Sequence, residues 1–148
     1  MHIKFQRQRD GYIIELLLSG GYSCVIRQGK DIHTFTQKGV ADLYQIYKHR
    51  TSLLDGACIA DKVVGKGAAA LMVLGKVKAV YADVISSPAL SLLREAGIET
   101  SFRQKVHHIE NRTKNGWCPL ETICYPLDSV SDIYSAIERF VNKENTVV

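Results

Sequence analysis

The sequence predicts one α/β domain in which a mixed sheet lies between two layers of helices. Its 148 residues are a common length for one domain, and a composition of 46% hydrophobic and 23% charged residues is typical of a globular protein. A strand–turn–strand pattern comes early, and short apolar runs then alternate with helical patterns. That alternation is typical of parallel strands joined by right-handed crossovers. We therefore expect a three-layer α-β-α domain over residues 1–148, with an antiparallel hairpin at one edge of the sheet.

The first third of the chain predicts a helix, a hairpin and a second helix. The apolar cluster between Tyr12 and Leu18 indicates a short helix, which Gly20 and Gly21 would end. The elements expected after it are a strand, a tight turn, a returning strand and a helix, at Tyr22–Arg27, Gln28–Lys30, Asp31–Thr36 and Val40–Arg50. Apolar residues recur every three or four positions in that second helix, so one stripe of it should pack against the hairpin.

The middle of the chain predicts two buried strands with a helix between them. Ala57–Ala60 is a short apolar run between polar residues, as expected of a buried strand. Asp61 falls where we expect the strand to give way to a helix over Lys62–Leu74. This helix is rich in glycine and alanine, and such small residues let its backbone approach either the sheet or a ligand closely. Val77–Val84 is a continuous, β-branched run, typical of an interior parallel strand.

The last third of the chain predicts three helices and one more strand. Ser87 can cap a helix that has Pro88 in its first turn and Gly97 just after its end. A strand, a polar segment and a short helix are expected next, at Ile98–Phe102, Gln104–Trp117 and Cys118–Cys124. A final helix should begin after Asp128, where a single apolar stripe predicts that it docks on the sheet.

Composition indicates a cytoplasmic protein that is not attached to a membrane. The chain has no run of about 18 apolar residues, and Met1–Asp10 lacks the apolar stretch of a secretory signal. In a reducing compartment the cysteines should be thiols; they are Cys24, Cys58, Cys118 and Cys124. A net charge of +4 implies mild attraction to polyanions. The densest basic stretch, Arg103–Lys114, contains Glu110 and few aromatic residues, so we interpret it as a solvated loop.

Several separated motifs carry a family resemblance. They are Ala60–Lys66 with the alanine run that follows, Val84–Ser86 ahead of a helix that ends at Ala96–Ile98, Asn111–Arg112 and Cys118–Glu121. From about Tyr22 to Val141 the chain resembles an uncharacterised prokaryotic family, domain-of-unknown-function family 1893, which is placed in the cytidine-deaminase-like superfamily. The resemblance implies a cytidine-deaminase-like mixed sheet, and a tendency of such domains to pair makes a homo-oligomer an open alternative.

The sequence lacks the residues with which deaminases of this superfamily hold zinc. Those enzymes use an H-x-E motif at one helix start and P-C-x-x-C at the next. The corresponding segments here are Asp61–Val63 and Pro88–Leu92, which contain neither histidine nor cysteine. One carboxylate does not replace a three-ligand shell of imidazole and thiolate. We therefore expect no zinc and no zinc-dependent deamination, and the identity of any other cofactor stays open.

The motifs nevertheless predict a site where the strands end, because ligands of open α/β sheets bind beyond the carboxyl ends of the strands. The residues assigned a catalytic role are Asp61, Lys62 and Cys118, and those assigned ligand contacts are Lys66, Ser86, Ser87, Arg112 and Glu121. The alternatives are a helix N-cap for Asp61, an apolar core position for Cys118 and solvated charges for Lys66 and Arg112. Trp117 would either stack on a flat ligand or cover the core.

Two adjacent histidines raise the question of a metal site. His107 and His108 are adjacent, so in a strand their side chains would point to opposite faces and would not share a metal ion.

Three functions are compatible with this sequence. The first is binding of a small molecule, nucleotide-like, at the strand ends, with or without turnover. The second is a non-catalytic module whose basic loop meets RNA or a protein. The third is an enzyme in which Cys118, at a helix start that favours thiolate, acts as the nucleophile.

Overall fold

One mixed five-stranded sheet organises the fold, and helices pack on both of its faces. The computed structural model describes residues 2–37 and 39–146. The strands are β1 (Cys24–Gln28), β2 (Asp31–Phe35), β3 (Cys58–Val64), β4 (Ala79–Ser86) and β5 (Glu99–Val106). The helices are α1 (His2–Ser19), α2 (Ala41–His49), α3 (Lys66–Leu74), α4 (Ser87–Glu95), α5 (Pro119–Cys124) and α6 (Val130–Thr146), with a short 3-10 helix at Thr51–Leu53.

The strand order is β2-β1-β3-β4-β5. Strand β1 is antiparallel to both of its neighbours, whereas β3, β4 and β5 are parallel. Gln28 pairs with Asp31 across a two-residue turn, in which Gly29 has a φ of 62°. Glycine takes that conformation without strain, and the twist of such a turn matches that of a hairpin. The predicted antiparallel hairpin at the sheet edge is thereby confirmed.

The two faces of the sheet carry separate cores. Because side chains of a strand alternate between faces, Val25 and Ala60 belong to one core and Ile26 and Ile59 to the other. Helix α1 covers the first face over β1 and β3. The second core is larger and includes a buried residue from each of α2, α3, α4 and α6, namely Leu43, Leu71, Leu93 and Ile137. The predicted three-layer α/β class is confirmed.

The prediction that the third strand ends at Asp61 is wrong. Strand β3 continues through Asp61 and Lys62 to Val64, and helix α3 begins only at Lys66. The reason lies in the neighbouring strands, since Asp61 pairs with a residue of β1 and with a residue of β4. The backbone N–H of Lys62 also donates to the carbonyl oxygen of Ser23 at 3.0 Å. Pairing on both sides outweighs the low strand propensity of an acidic residue.

Other boundaries also differ from the predictions. Helix α1 begins at His2, well before the apolar cluster at Tyr12. Ser86 is the N-cap of α4 in place of Ser87, and its hydroxyl accepts the N–H of Ala89 at 3.4 Å. Strand β5 extends to Val106 because it pairs with β4 along its whole length.

Two further expectations can be compared with the structure. None of Cys24, Cys58, Cys118 and Cys124 forms a disulfide. Within the described residues, no helix combines the length and the apolar character needed to cross a membrane.

Candidate functional site

The Glu121 carboxylate joins three segments at the carboxyl end of β3. Its side chain is only 2% exposed. One oxygen accepts the backbone N–H of Lys66 and the other accepts the N–H of Ile109, both at 2.9 Å. Lys66 is the first residue of α3, and the preceding Gly65 has no side chain with which to cap the helix. A negative charge at a helix N-terminus is favourable, so Glu121 serves as the anion for α3.

The Lys66 side chain completes the same connection from the opposite direction. It is 7% exposed, and Nζ donates to the carbonyl oxygens of Tyr125, at 2.8 Å, and Leu127. These carbonyls lie at and just beyond the end of α5, where helices leave acceptors without partners and favour cations. Lys66 and Glu121 therefore clasp α3 to both ends of α5; we call this pair of residues the α3–α5 clasp.

Two glycines allow the clasp to close. A Cβ atom at Gly65 would lie 3.2 Å from Ile109 and 3.4 Å from the Glu121 carboxylate. A Cβ atom at Gly67 would lie 3.0 Å from the side chain of Leu120. The small residues of α3 thus permit close approach, as the sequence indicated, but the partners are α5 and the loop before it.

Four ring side chains lie near the clasp and are partly open to solvent. We call His107, His108, Trp117 and Tyr125 the aromatic cluster. His108 stacks on Trp117 with ring centroids 4.0 Å apart and planes 7° from parallel, and His107 stacks on Tyr125 at 5.6 Å and 28°. Trp117 also meets Tyr125 edge to face at 4.8 Å. His107 is exposed and the other three are half-buried, so the molecule presents flat rings at its surface.

The side chains of the two histidines in this cluster contact each other. Nδ1 of His107 is 3.1 Å from Nδ1 of His108, and Nε2 of His107 is 3.2 Å from the Tyr125 hydroxyl. The strand alternation considered for them does not apply, because β5 ends at Val106 and the chain bends at the histidines.

Sequence reasoning missed the cluster because its members are separated by a loop. A β-bridge between Glu110 and Trp117 closes that loop and brings the tryptophan back to the histidines. The Asn111 side chain holds the interior of the loop, accepting from the N–H of Asn115 at 3.2 Å and the hydroxyl of Thr113 at 3.1 Å. A signal was nevertheless present in the sequence. Two histidines precede, and one tryptophan follows, a segment rich in turn-forming residues, and a tight loop there would bring these rings together.

Asp61 has a different set of neighbours, on β1 and α2. In the β1–β3 ladder it is opposite Cys24, and the N–H of Val63 donates to its Oδ1 at 3.3 Å. Desolvation raises the pKa of Asp61 to about 7, and the nearby Asp42 carboxylate raises it further, while backbone hydrogen bonds lower it. Desolvation, Asp61 and Asp42 also raise the pKa of the Cys24 thiol. Asp61 therefore belongs with Cys24 and Asp42.

The remaining predicted site residues divide by burial. Lys66, Ser86 and Glu121 are buried and bonded within the chain. Ser87 is half-buried, and its hydroxyl donates to the carbonyl oxygen of Val106 at 3.3 Å, which ties α4 to the end of β5. Arg112 is exposed in the loop.

Cys118 is half-buried and forms the N-cap of α5. Its backbone N–H donates to the carbonyl oxygen of Ile109 at 2.9 Å. The motifs Ala60–Lys66 and Cys118–Glu121 meet through Gly65 and Lys66, which contact the Glu121 carboxylate.

These features define a class: an α/β fold with a mixed five-stranded sheet, in which a short helix and the loop before it are bonded to the start of α3, just after the carboxyl end of β3. Across residues 2–37 and 39–146, no group of three or more His, Cys, Asp or Glu side chains could hold a metal ion. The chain belongs to the family described as domain of unknown function DUF1893, whose sequence profile matches residues 12–141. The predicted family is thereby confirmed, and the match extends further toward the N-terminus than the motifs did.

A solved structure shares this fold. It is the crystal structure, at 2.70 Å resolution, of a DUF1893 family protein (TM1506) from Thermotoga maritima. The two chains are 25% identical and superimpose with a TM-score of 0.80, covering 90% of this chain and 89% of that one. No match was found among curated proteins.

Proposed function

We propose that this domain binds a small molecule with a flat ring, of nucleoside or nucleotide type, on the aromatic cluster. The observation that carries the proposal is the parallel stack of His108 on Trp117, half-buried and beside the exposed His107. Aromatic side chains bind nucleobases by stacking, and each stacked base contributes about 1–3 kcal/mol. Four rings contact one another here, and the two stacked pairs offer ring faces on which a flat ligand could stack.

The position of the cluster supports the same proposal. Ligands of open α/β sheets bind beyond the carboxyl ends of parallel strands. Here the parallel strands β3, β4 and β5 end at Val64, Ser86 and Val106. The first residue of the cluster, His107, directly follows the end of β5. The sequence motifs resemble those of the cytidine-deaminase-like superfamily, and a site beyond the strand ends agrees with that resemblance. Such a site would function without the zinc chemistry of those enzymes.

Charge near the cluster favours an anionic ligand. Lys105, Arg112 and Lys114 are exposed on the strand and loop that carry the histidines. Helix N-termini commonly bind phosphate groups, but the N-terminus of α3 already binds the Glu121 carboxylate. A phosphate group of the ligand would therefore be bound by the exposed cations and not by this helix. The predicted role of Arg112 as a ligand-binding residue is retained in the proposal.

Trp117 makes the proposal directly testable, because it is the only tryptophan in the chain. Nucleosides, nucleoside monophosphates and inorganic phosphate are titrated while the tryptophan fluorescence is recorded. We expect saturable quenching by the nucleosides and nucleotides, stronger for the nucleotides, and none by phosphate alone. Calorimetry on His108→Ala, with His49→Ala on the exposed end of α2 as the matched control, should show weaker binding in the first variant only. Absence of both quenching and heat at millimolar ligand would refute the proposal.

A single-stranded nucleic acid is the second candidate, because the same rings and cations also suit a polymer. It is distinguished by length and salt. A polymer should bind more tightly than a mononucleotide, with an affinity that falls steeply as salt rises. Replacing Lys105, Arg112 and Lys114 together should remove most of that salt dependence. If mononucleotides and oligonucleotides bind equally, the small-molecule function is favoured.

A further inference from the structure

A chain of hydrogen-bonding contacts runs through the aromatic cluster. The Tyr125 hydroxyl lies 3.2 Å from Nε2 of His107, and Nδ1 of His107 lies 3.1 Å from Nδ1 of His108. Both distances are within hydrogen-bonding range. Both ring nitrogens of His107 are therefore engaged, and His107 connects the other two side chains.

The two imidazole rings approach each other through their Nδ1 atoms. Their centroids are 5.4 Å apart and their planes are 81° from parallel. The centroid distance exceeds the separation of the two Nδ1 atoms by about twice the radius of an imidazole ring, so both nitrogens lie close to the line of centres. Two ligands of one metal ion would instead aim their lone pairs at a common point away from that line. The arrangement is that of an N–H···N hydrogen bond.

Such a bond requires the two rings to be protonated differently. A neutral imidazole has one N–H donor and one bare nitrogen acceptor, and the partners decide which is which. In one direction, His107 donates from Nδ1 to His108 and accepts the Tyr125 hydroxyl at Nε2, while His108 carries its own proton at Nε2. In the other, His108 donates from Nδ1, and His107 donates from Nε2 to the Tyr125 oxygen.

We propose that Tyr125, His107 and His108 form a proton relay that switches between these two directions. As a proton enters at the Tyr125 oxygen, the hydroxyl proton moves to Nε2 of His107 and the Nδ1 proton of His107 moves to Nδ1 of His108. The proton on Nε2 of His108 then leaves to an acceptor. One proton enters and one leaves, so the three side chains stay neutral and no bond between heavy atoms changes.

The relay narrows the class of ligand, a step that rests on the proposed function. A ring stacked beside the relay can exchange protons with it if the ring carries both a donor and an acceptor. Tautomeric heterocycles, such as the purines and pyrimidines, meet this requirement, whereas a benzene-like ring does not. The relay therefore favours nucleobases over other flat molecules.

The neighbouring elements carry other titratable and charged groups. They are Lys66 on α3, Lys105 on β5, Glu110, Arg112, Lys114 and Cys118 in the loop, and Glu121 and Cys124 on α5. Lys66 and Glu121 are bonded to backbone groups of the clasp. The relay consists of Tyr125, His107 and His108, whose side chains are joined by hydrogen bonds through His107.

Nitrogen-15 NMR of the whole, ligand-free protein near neutral pH tests the relay. Chemical shifts of the imidazole nitrogens, detected through the ring carbon-bound protons, give the protonated fraction of each Nδ1. We expect the Nδ1 fractions of His107 and His108 to add up to about one, whether the switching is slow or fast. His33 on β2 and His49 on α2 are internal references. If both rings of the pair are protonated mainly at Nε2, with Nδ1 fractions no larger than those of the references, the relay is refuted.

Two variants connect the result to its cause. In His108→Ala the partner is lost, so the Nδ1 fraction of His107 should fall to that of the references. Tyr125→Phe keeps the ring that stacks on His107, and it should change the two fractions while their sum stays near one. If His107 has a larger Nδ1 fraction than the references in the unmodified protein, an unchanged His107 fraction in His108→Ala contradicts the proposal. None of these measurements uses a ligand, so a failed relay and a failed nucleotide titration are separate outcomes.

Discussion

The carboxylate of Glu121 accepts the backbone N–H of Lys66 at 2.9 Å, across 55 residues of sequence. This contact brings the start of α3 under the loop that carries the aromatic cluster. Together with the hydrogen bonds of the Lys66 ammonium group, it anchors to the start of α3 the backbone of Tyr125 and that of Ile109, which follows His108. We therefore assign Glu121 and Lys66 a positioning role in the proposed site.

Replacing Glu121 with Gln should destabilise the protein by about 1–3 kcal/mol. The variant leaves a buried backbone N–H facing an amide that can satisfy only one of the two donors, and it removes the negative charge at the helix start. The free energy of unfolding from urea denaturation gives the measurement. Glu95→Gln on the exposed end of α4 is the matched control and should change it by less than about 0.5 kcal/mol. Equal effects in both variants would show that the clasp does not contribute to stability.

Two glycine-to-alanine substitutions in helices should have opposite effects on stability. At Gly67 the added methyl group would lie 3.0 Å from Leu120, so Gly67→Ala should destabilise by about 1–2 kcal/mol, even after the gain in helix propensity. At Gly11 in α1, nothing lies within 4 Å of the added atom. Gly11→Ala should therefore stabilise by about 0.5–1 kcal/mol. Thermal unfolding of both variants checks the prediction, which fails if Gly67→Ala raises the midpoint.

The raised pKa of Asp61 predicts that the free energy of unfolding depends on pH. Its pKa is raised to about 7 in the folded protein, against about 3.9 in the unfolded chain, so the folded state binds the proton more tightly. The contribution of this group is favourable below pH 4 and is lost as the pH rises toward 7 and above. The full shift corresponds to at most about 4 kcal/mol, and partial exposure of the side chain reduces the expected effect to about 1–2 kcal/mol.

Asp61→Asn should accordingly stabilise the protein at pH 8 and have little effect at pH 4.5. Urea denaturation at the two pH values provides the comparison, with Asp55→Asn at an exposed position as the control. If Asp61→Asn destabilises the protein equally at both pH values, the carboxylate is stabilised by its surroundings and the predicted direction is wrong.

The hypothesis of a cysteine-dependent enzyme requires the Cys118 thiol to be accessible and reactive. This thiol is half-buried, whereas Cys24, Cys58 and Cys124 are buried, and desolvation, followed by Glu121, raises the pKa of Cys124 to about 11. Iodoacetamide at neutral pH should therefore modify Cys118 at least about tenfold faster than Cys124, as mass spectrometry of the peptides would show. A catalytic role additionally requires Cys118 to react faster than a cysteine in a short peptide. A slower reaction leaves Cys118 as the cap of α5 only.

Local sequence patterns were sufficient for most of the architecture. The hairpin follows from Gly29 between two strand-like segments, because a two-residue turn with a positive φ restricts both strands to one register. The last helix follows from its single apolar stripe, whose members Ile133, Ile137 and Val141 are buried. Ser86, Pro88 and Gly97 mark the limits of α4 within one residue of the prediction. In these cases the deciding interactions lie within a few residues of one another.

The amino-acid sequence alone thus determined the fold class, the family and the order of the elements, because hydrophobic period and turn chemistry are local properties. Only the tertiary structure decided the site. Asp61 became a strand residue because partners on both sides supplied its backbone hydrogen bonds, and Glu121 reached Lys66 because two glycines let α5 approach α3. The aromatic cluster exists because a closed loop returns Trp117 to His108. Such contacts depend on how distant segments meet in space, which no local pattern records.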